Sequence, residues 1–223
     1  LKACSPEERD KIVLLTTDRP DIAQVVYDPK NQKVFFLISG SRITESEVRS
    51  IWLRRLPPPD FSHFERDGLK EYCIAEYREF YEGIEYVCPN IFWVSKPSAI
   101  NKAKSKPWQL VTAKKIGFSI PDTIFTNSPK GLIDFCKNRK SIYKSIKSPR
   151  ISFSEKVNTT VFTTLVNEEA LAFKDGIMSC PGILQDFCDK EADIRVSVFG
   201  DKVFAVKIES QKNIKAQVDF RAG

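Results

Sequence analysis

One histidine, His63, and six cysteines with no Cys-x-x-Cys spacing are all that this sequence offers as soft metal ligands. Zinc ribbons and dithiol redox sites need paired thiolates or imidazoles, so both classes are argued against. No stretch stays apolar for the length a bilayer demands, and no signal segment opens the chain. These absences predict a protein of the reducing cytoplasm, with free thiols at Cys4, Cys73, Cys88, Cys136, Cys180 and Cys188. Internal repeats, low-complexity tracts and interleaved aromatic-basic binding motifs are absent too, so neither nucleic acid nor membrane is an expected partner.

What is present reads as an ordinary globular chain. At 223 residues it can bury a sizeable core as one large domain or two small ones. The net charge of +6 is spread along the chain, with small clusters over residues 102–106 and 137–147. That spread fits a compact anionic ligand better than a stripe tracking a duplex, with a solvated lysine surface as the plain alternative.

Taken in order, a polar lead-in (residues 1–10) is followed by two apolar runs, 11–16 and 33–38, expected as buried parallel-type strands. Pro20 and Asp28-Pro29 leave little room for a crossover helix between them. Thr44 with Glu47 three residues on predicts a capped helical turn, and residues 51–56 a strand closed by Pro57, Pro58 and Pro59. Leu69, Cys73, Tyr77, Phe80, Ile84 and Val87 share a helical face, with Glu71, Glu76, Glu79 and Glu85 elsewhere and Glu65 just ahead. A short apolar run over 91–94 ends this region.

The second region opens near Ser95. Lys106-Pro107 starts a helix that Gly117 stops, and residues 120–126 are expected as a strand. Asn127-Ser128-Pro129 caps a helix to about Lys137, and 141–146 reads as another strand. Residues 147–160 read as a mobile polar loop, and strands are expected over 161–166, 183–187, 194–199 and 203–208. Between two of these strands, residues 185–195 carry Asp186, Asp189, Lys190, Glu191, Asp193 and Arg195. Charge packed between buried strands is costly without a polar or charged ligand, so this stretch is the expected centre of a binding site.

Lys106-x-x-Gln109-Leu110, Gly117-Phe118-x-Ile120-Pro121-Asp122-Thr123, Ile142-Tyr143-Lys144, Gln185-Asp186-Phe187 and Asp193-Ile194-Arg195 together resemble the ATP-grasp ligases in order and spacing. The likeness is to the peptide-maturing branch that makes graspetides of the microviridin type, with the ribosomal-protein glutamate ligases as sister group. Trp52-Leu53-Arg54-Arg55-Leu56 and Trp93-Val94-Ser95-Lys96-Pro97 resemble the same branch, as does Val218-Asp219-Phe220-Arg221, which looks like a later strand. The resemblance implies an α/β (α+β) ATP-grasp fold. Residues 1–95 would form a pre-ATP-grasp domain, 96–187 a linker helix with the first grasp subdomain, and 188–223 the incomplete start of the second.

The same resemblance implies ATP and magnesium as cofactors and a precursor peptide, leader and core, as partner, with a homodimer open. Lys106 and Lys144 match the residues that hold the phosphates, a task for point charges. Gln185, Asp186, Phe187 and Cys188 match the hinge along the adenine, with Asp186 where the family usually has glutamate. Lys190 and Asp193 match positions near ribose and phosphates. Arg195 and Arg221 match arginines facing phosphates or the substrate carboxylate. The magnesium ligands of the family fall on strands after Arg221, so no metal residue is assigned. The expected activity is ATP-dependent joining of Asp or Glu side chains to Ser/Thr hydroxyls or Lys amines of that peptide. A glutamate-ligase-like enzyme and a non-catalytic nucleotide- or peptide-binding module remain as alternatives.

Overall fold

The computed structural model describes residues 5, 7, 11–61, 67–147, 150–152 and 158–222. The chain forms two compact units, Leu1–Lys102 and Ala103–Gly223. Most of the lead-in lies outside the described residues, as do Cys4, His63 and Glu65.

The first unit begins with an antiparallel meander: β1 (Ala23–Asp28), β2 (Lys33–Ile38) and β3 (Ser41–Thr44). Alternation builds it, with Ala23 and Val25 on β1 and Val34 and Phe36 on β2 buried. Each turn has its local cause. Asp28 Oδ1 accepts from the Asn31 N–H at 3.2 Å, and Gln32 takes a positive φ of 51°. Ser39 (φ 48°) and Gly40 (φ 82°) form a two-residue turn with both φ positive, matched to the twist of a hairpin.

This overturns the expected parallel pair. Residues 11–16 form no strand, and Ile12, Val13 and Leu14 are exposed. β2 instead takes its neighbour from the alternating run at 23–28, joined by a tight turn, so no crossover is needed.

A parallel crossover does exist, further along. β4 (Ser50–Trp52) pairs in parallel with β5 (Phe92–Val94), and the helix between them is α1 (Asp67–Val87). β4 stops where its three-residue partner stops, short of the expected 51–56. The turn ahead of it, a 3-10 helix over Glu45–Glu47, is capped as expected, with Glu47 Oε2 accepting from the Thr44 N–H at 2.7 Å. The apolar face of α1 is buried toward its C-terminal half. Tyr81 and Ile84 join Val25, Val34, Phe36, Cys88, Ile91 and Trp93 in the core, while Leu69 is exposed. Glu85, off that apolar face by spacing, is buried as well. Its carboxylate accepts from the Ser98 N–H at 2.8 Å and the Ser98 hydroxyl at 2.6 Å, at the start of α2 (Pro97–Lys104). A carboxylate there satisfies an N–H with no partner inside the helix.

The second unit starts with α3 (Lys106–Lys115), which Gly117 ends at φ 92°. Its centre is a four-stranded sheet, in order Thr164–Leu165, Ser141–Lys144, Gly182–Asp186, Thr123–Thr126, with every neighbouring pair antiparallel. In chain order these are β6 (Thr123–Thr126), β7 (Ser141–Lys144), β10 (Thr164–Leu165) and β11 (Gly182–Asp186). β6, β7 and β10 are each shorter than the apolar runs that announced them.

α4 (Pro129–Cys136) is capped by Ser128, whose Oγ accepts from the Gly131 N–H at 3.1 Å. Together with α5 (Glu168–Ala172) and a 3-10 turn at Lys174–Met178, it closes one face of the sheet. The expected mobile loop over 147–160 contains, where described, an antiparallel pair, β8 (Arg150–Ser152) and β9 (Asn158–Thr160). β12 (Asp193–Phe199) and β13 (Lys202–Ile208) form a hairpin, and Phe220–Ala222 is a 3-10 turn rather than the expected later strand.

Candidate functional site

Two-residue alternation divides the four-stranded sheet between two tasks. Leu184 on β11 and Tyr143 on β7 face the helices, where Leu132, Ile177, Ile124 and Phe135 pack against them. The residues between, Ile142 and Lys144 on β7 and Gln185 on β11, face a cavity of about 560 Å³. The close fit on the packed side depends on Gly182, because a Cβ there would lie 2.2 Å from Tyr143 Cε2.

Of the residues picked from sequence, Lys106, Lys144, Gln185, Asp186, Phe187, Cys188, Lys190, Asp193 and Arg221 line this one cavity. Arg195 does not, and it sits exposed on β12. Asp193 opens that strand at the cavity, and two residues of rise, roughly 6–7 Å, carry Arg195 past it. Sequence reasoning missed Lys147, Thr163 and above all Asp219, which also line the cavity. Asp219 had a visible signal, an acid two residues before Arg221.

The charges sort into committed and uncommitted groups. Lys190 Nζ lies 2.9 Å from Asp193 Oδ2, and Arg139 Nη1 lies 3.1 Å from Asp186 Oδ1. Asp219, 6% exposed, accepts from Arg221 Nε at 2.8 Å, from the Arg221 N–H at 3.1 Å and from the Thr163 N–H at 3.0 Å. The Arg221 side chain heads the causes that hold the Asp219 carboxyl well below the usual range. Among the described residues, Lys106, Lys144 and Lys147 face no carboxylate at ion-pair distance.

Lys144 is the most constrained of the three. Burial, and next the nearby charge of Lys106, push its pKa down, with Lys190 adding to the effect and Cys188 and Asp219 opposing it. Its Nζ donates to Gln185 Oε1 at 2.7 Å. Lysines gathered round a cavity repel one another, and an anion bound among them relieves that repulsion.

The hinge after β11 offers a different chemistry. The Asp186 N–H goes to Asp122 O and the Phe187 N–H to Lys140 O, each at 2.9 Å. That leaves the Cys188 N–H without a partner among the described residues. Lys140 Nζ lies 3.8 Å from the Phe187 ring centroid. The cavity thus pairs a polar main-chain edge with cations, an arrangement suited to a flat base carrying phosphates. Among the described residues no three His, Cys, Asp or Glu side chains are grouped to hold a metal ion by themselves.

No protein-family model and no curated protein sequence matches the chain. Solved structures do. The macrocyclase MdnC of Microcystis aeruginosa MRC, bound with precursor peptide MdnA, superposes with a TM-score of 0.78 at 23% identity, over 87% of this chain and 65% of that one. A RiPP-associated ATP-grasp ligase of Chryseobacterium gregarium, in complex with ADP and a leader and core peptide, gives 0.75 at 27% identity, over 90% and 60%. The ATP-grasp ligase PsnB, complexed with minimal precursor, Mg and ADP, gives 0.61 at 20%, over 86% and 61%. The chain therefore has the α/β fold of the peptide-maturing ATP-grasp ligases, and it spans 65% and 60% of the length of the first two.

Proposed function

We propose that this chain supplies the nucleotide-holding part of an ATP-dependent ligase that joins side-chain carboxylates of a ribosomal precursor peptide to hydroxyls or amines of the same peptide. The observation that carries the reading is the cavity where Lys106, Lys144 and Lys147 face no carboxylate among the described residues, beside the main-chain edge at 186–188. Likeness to ligases whose structures hold ADP and precursor peptides supports it.

In this reading ATP supplies the phosphoryl group that activates a carboxylate, and the chain's residues bind and orient. Lys106 and Lys144 hold phosphates as point charges, reducing the repulsion that a carboxylate meets on approaching them. The Asp186 carbonyl and the Cys188 N–H read the base edge, with Phe187 against its face. Lys190, held by Asp193, sits toward the ribose and phosphates. Arg221, steadied by Asp219, is assigned to phosphates or the substrate carboxylate, a role that Arg195, outside the cavity, does not share. Residues 1–95 would be the pre-ATP-grasp domain, 96–187 the first grasp subdomain with its linker helix, and 188–223 the start of the second. A cytoplasmic setting fits the free thiols of Cys73, Cys88, Cys136, Cys180 and Cys188. No helix among the described residues is long and apolar enough to cross a membrane.

The test is mass spectrometry of a Thr/Ser- and Asp/Glu-rich precursor peptide incubated with the full-length enzyme, ATP and magnesium. Loss of one water per link is the expected result. A gain of glutamate mass would instead assign a glutamate-ligase-like activity, and an unchanged peptide with ATP bound would assign a binding module.

A further inference from the structure

A cavity lysine serves an anion only while it stays charged and uncommitted. The hydrogen bonds around Lys144 bear on both conditions. Gln185 is 8% exposed, and its amide has donors at one end and an acceptor at the other, so its orientation needs a cause. Thr123, its cross-strand partner on β6, provides one. The Thr123 hydroxyl gives its single proton to Pro121 O at 2.8 Å, so its oxygen can only accept. It accepts from Gln185 Nε2 at 2.8 Å. That turns the amide nitrogen toward β6 and the oxygen toward β7, where Oε1 meets Lys144 Nζ at 2.7 Å. The relay crosses three strands on the cavity face and ends at the ammonium.

We propose that Gln185 is a positioning residue: a neutral acceptor, locked in one orientation by Thr123, that aims Lys144 into the cavity and leaves its charge and remaining donors for an anionic ligand. The proposal rests on the nucleotide reading for the identity of that ligand, the phosphates of ATP. Neutrality is the point of the arrangement. A carboxylate at 185 would pair with Lys144, cancel its charge toward the cavity and raise its pKa. An apolar side chain there would leave a desolvated ammonium without its acceptor and lower its pKa further. The other groups facing Lys144 are Lys106 on α3, Cys188 and Lys190 after β11, and Asp219 before the last turn. None of them is altered by a change at 185.

The sign of the pH dependence follows. With its pKa depressed, Lys144 loses its proton earlier than a free lysine as pH rises, and ATP affinity falls with it. Gln185→Glu should move that fall to higher pH and Gln185→Met to lower pH. Lys144 would be titrated by NMR in the ligand-free protein, unaltered and with Gln185→Glu, Gln185→Met or Thr123→Val, each checked for a folded melting transition. Calorimetry with ATP and with adenosine would follow. Gln185→Glu should raise the Lys144 pKa and weaken ATP by about tenfold or more at neutral pH, with a smaller loss for adenosine, which carries no phosphate. Thr123→Val, which frees the amide to turn, should shift both readouts in the direction of Gln185→Met by a smaller amount, and it serves as the test if the Gln185 variants do not fold. An unshifted Lys144 titration in Gln185→Glu, or equal losses for ATP and adenosine, would overturn the proposal. Failure of the unaltered protein to bind ATP would overturn the nucleotide reading instead, with the NMR titration still deciding the role of Gln185.

Discussion

The two faces of the four-stranded sheet are made by the same strands and differ in almost every physical respect. On one, Leu184 is fully buried and Tyr143 packs with Leu132, Ile177 and Phe135. On the other, one residue along each strand, Gln185 and Lys144 meet at 2.7 Å beside a cavity with Lys106 and Lys147 on its wall. The first face gains from removing apolar surface from water. The second carries a cost, because it gathers like charges and partly desolvates one of them. A sheet can bear such a cost on one face when the other is closed well, and the alternation of single residues keeps the two apart.

This division can be broken from either side. The largest effect is expected from Leu184→Ala on the closed face, a loss of about 2–5 kcal/mol by denaturant titration, because the helices cannot collapse into the space left. Gly182→Ala should cost about 1–3 kcal/mol, since its Cβ would overlap the Tyr143 ring. Adding Tyr143→Leu should return part of that loss, and a strictly additive pair would contradict the steric account. On the open face the pattern reverses. Lys144→Ala should weaken ATP by about tenfold or more, about 1.4 kcal/mol, with the melting temperature held or slightly raised. An unchanged ATP affinity in calorimetry would sink the phosphate assignment.

The smallest expected effect sharpens the comparison at the edge of the cavity. The Asp219 carboxyl is held well below its usual 3.8, so the stability it contributes is fully present above that value and is lost as pH falls through the lower folded-state value. Asp219→Asn should cost about 1 kcal/mol near neutral pH and flatten the acid limb of the stability curve, followed by melting from pH 6 to pH 2.

How much of this was legible depended on whether the cause was local. The helix at 67–87, the Ser128 cap and the Gly117 stop each follow from a few neighbouring residues, and each is where the pattern placed it. The run at 11–16 misled because it is apolar enough for a buried strand yet joins no sheet among the described residues. The true partner of β2 was legible as the alternation of residues 23–28, followed by an Asp-Pro turn. Glu85 is the non-local case. Its carboxylate is met by Ser98, thirteen residues on, a partner that helical spacing alone does not reveal.

The sequence by itself determined the kind of chemistry available: lysines in short elements and a charged hinge after an apolar strand. It also carried, in five spaced motifs, the resemblance that the fold bears out. Only the tertiary structure decided which charges are free. Lys190 and Lys144 look alike as letters, yet one is held by Asp193 and the other by a neutral amide. Arg195 and Arg221 look alike too, yet the cavity takes only the second. The reason is geometric: pairing falls off over a few ångströms, and a distance that short between Lys144 and Gln185, far apart in the chain, is set by strand register, whereas Lys190 finds Asp193 three residues on.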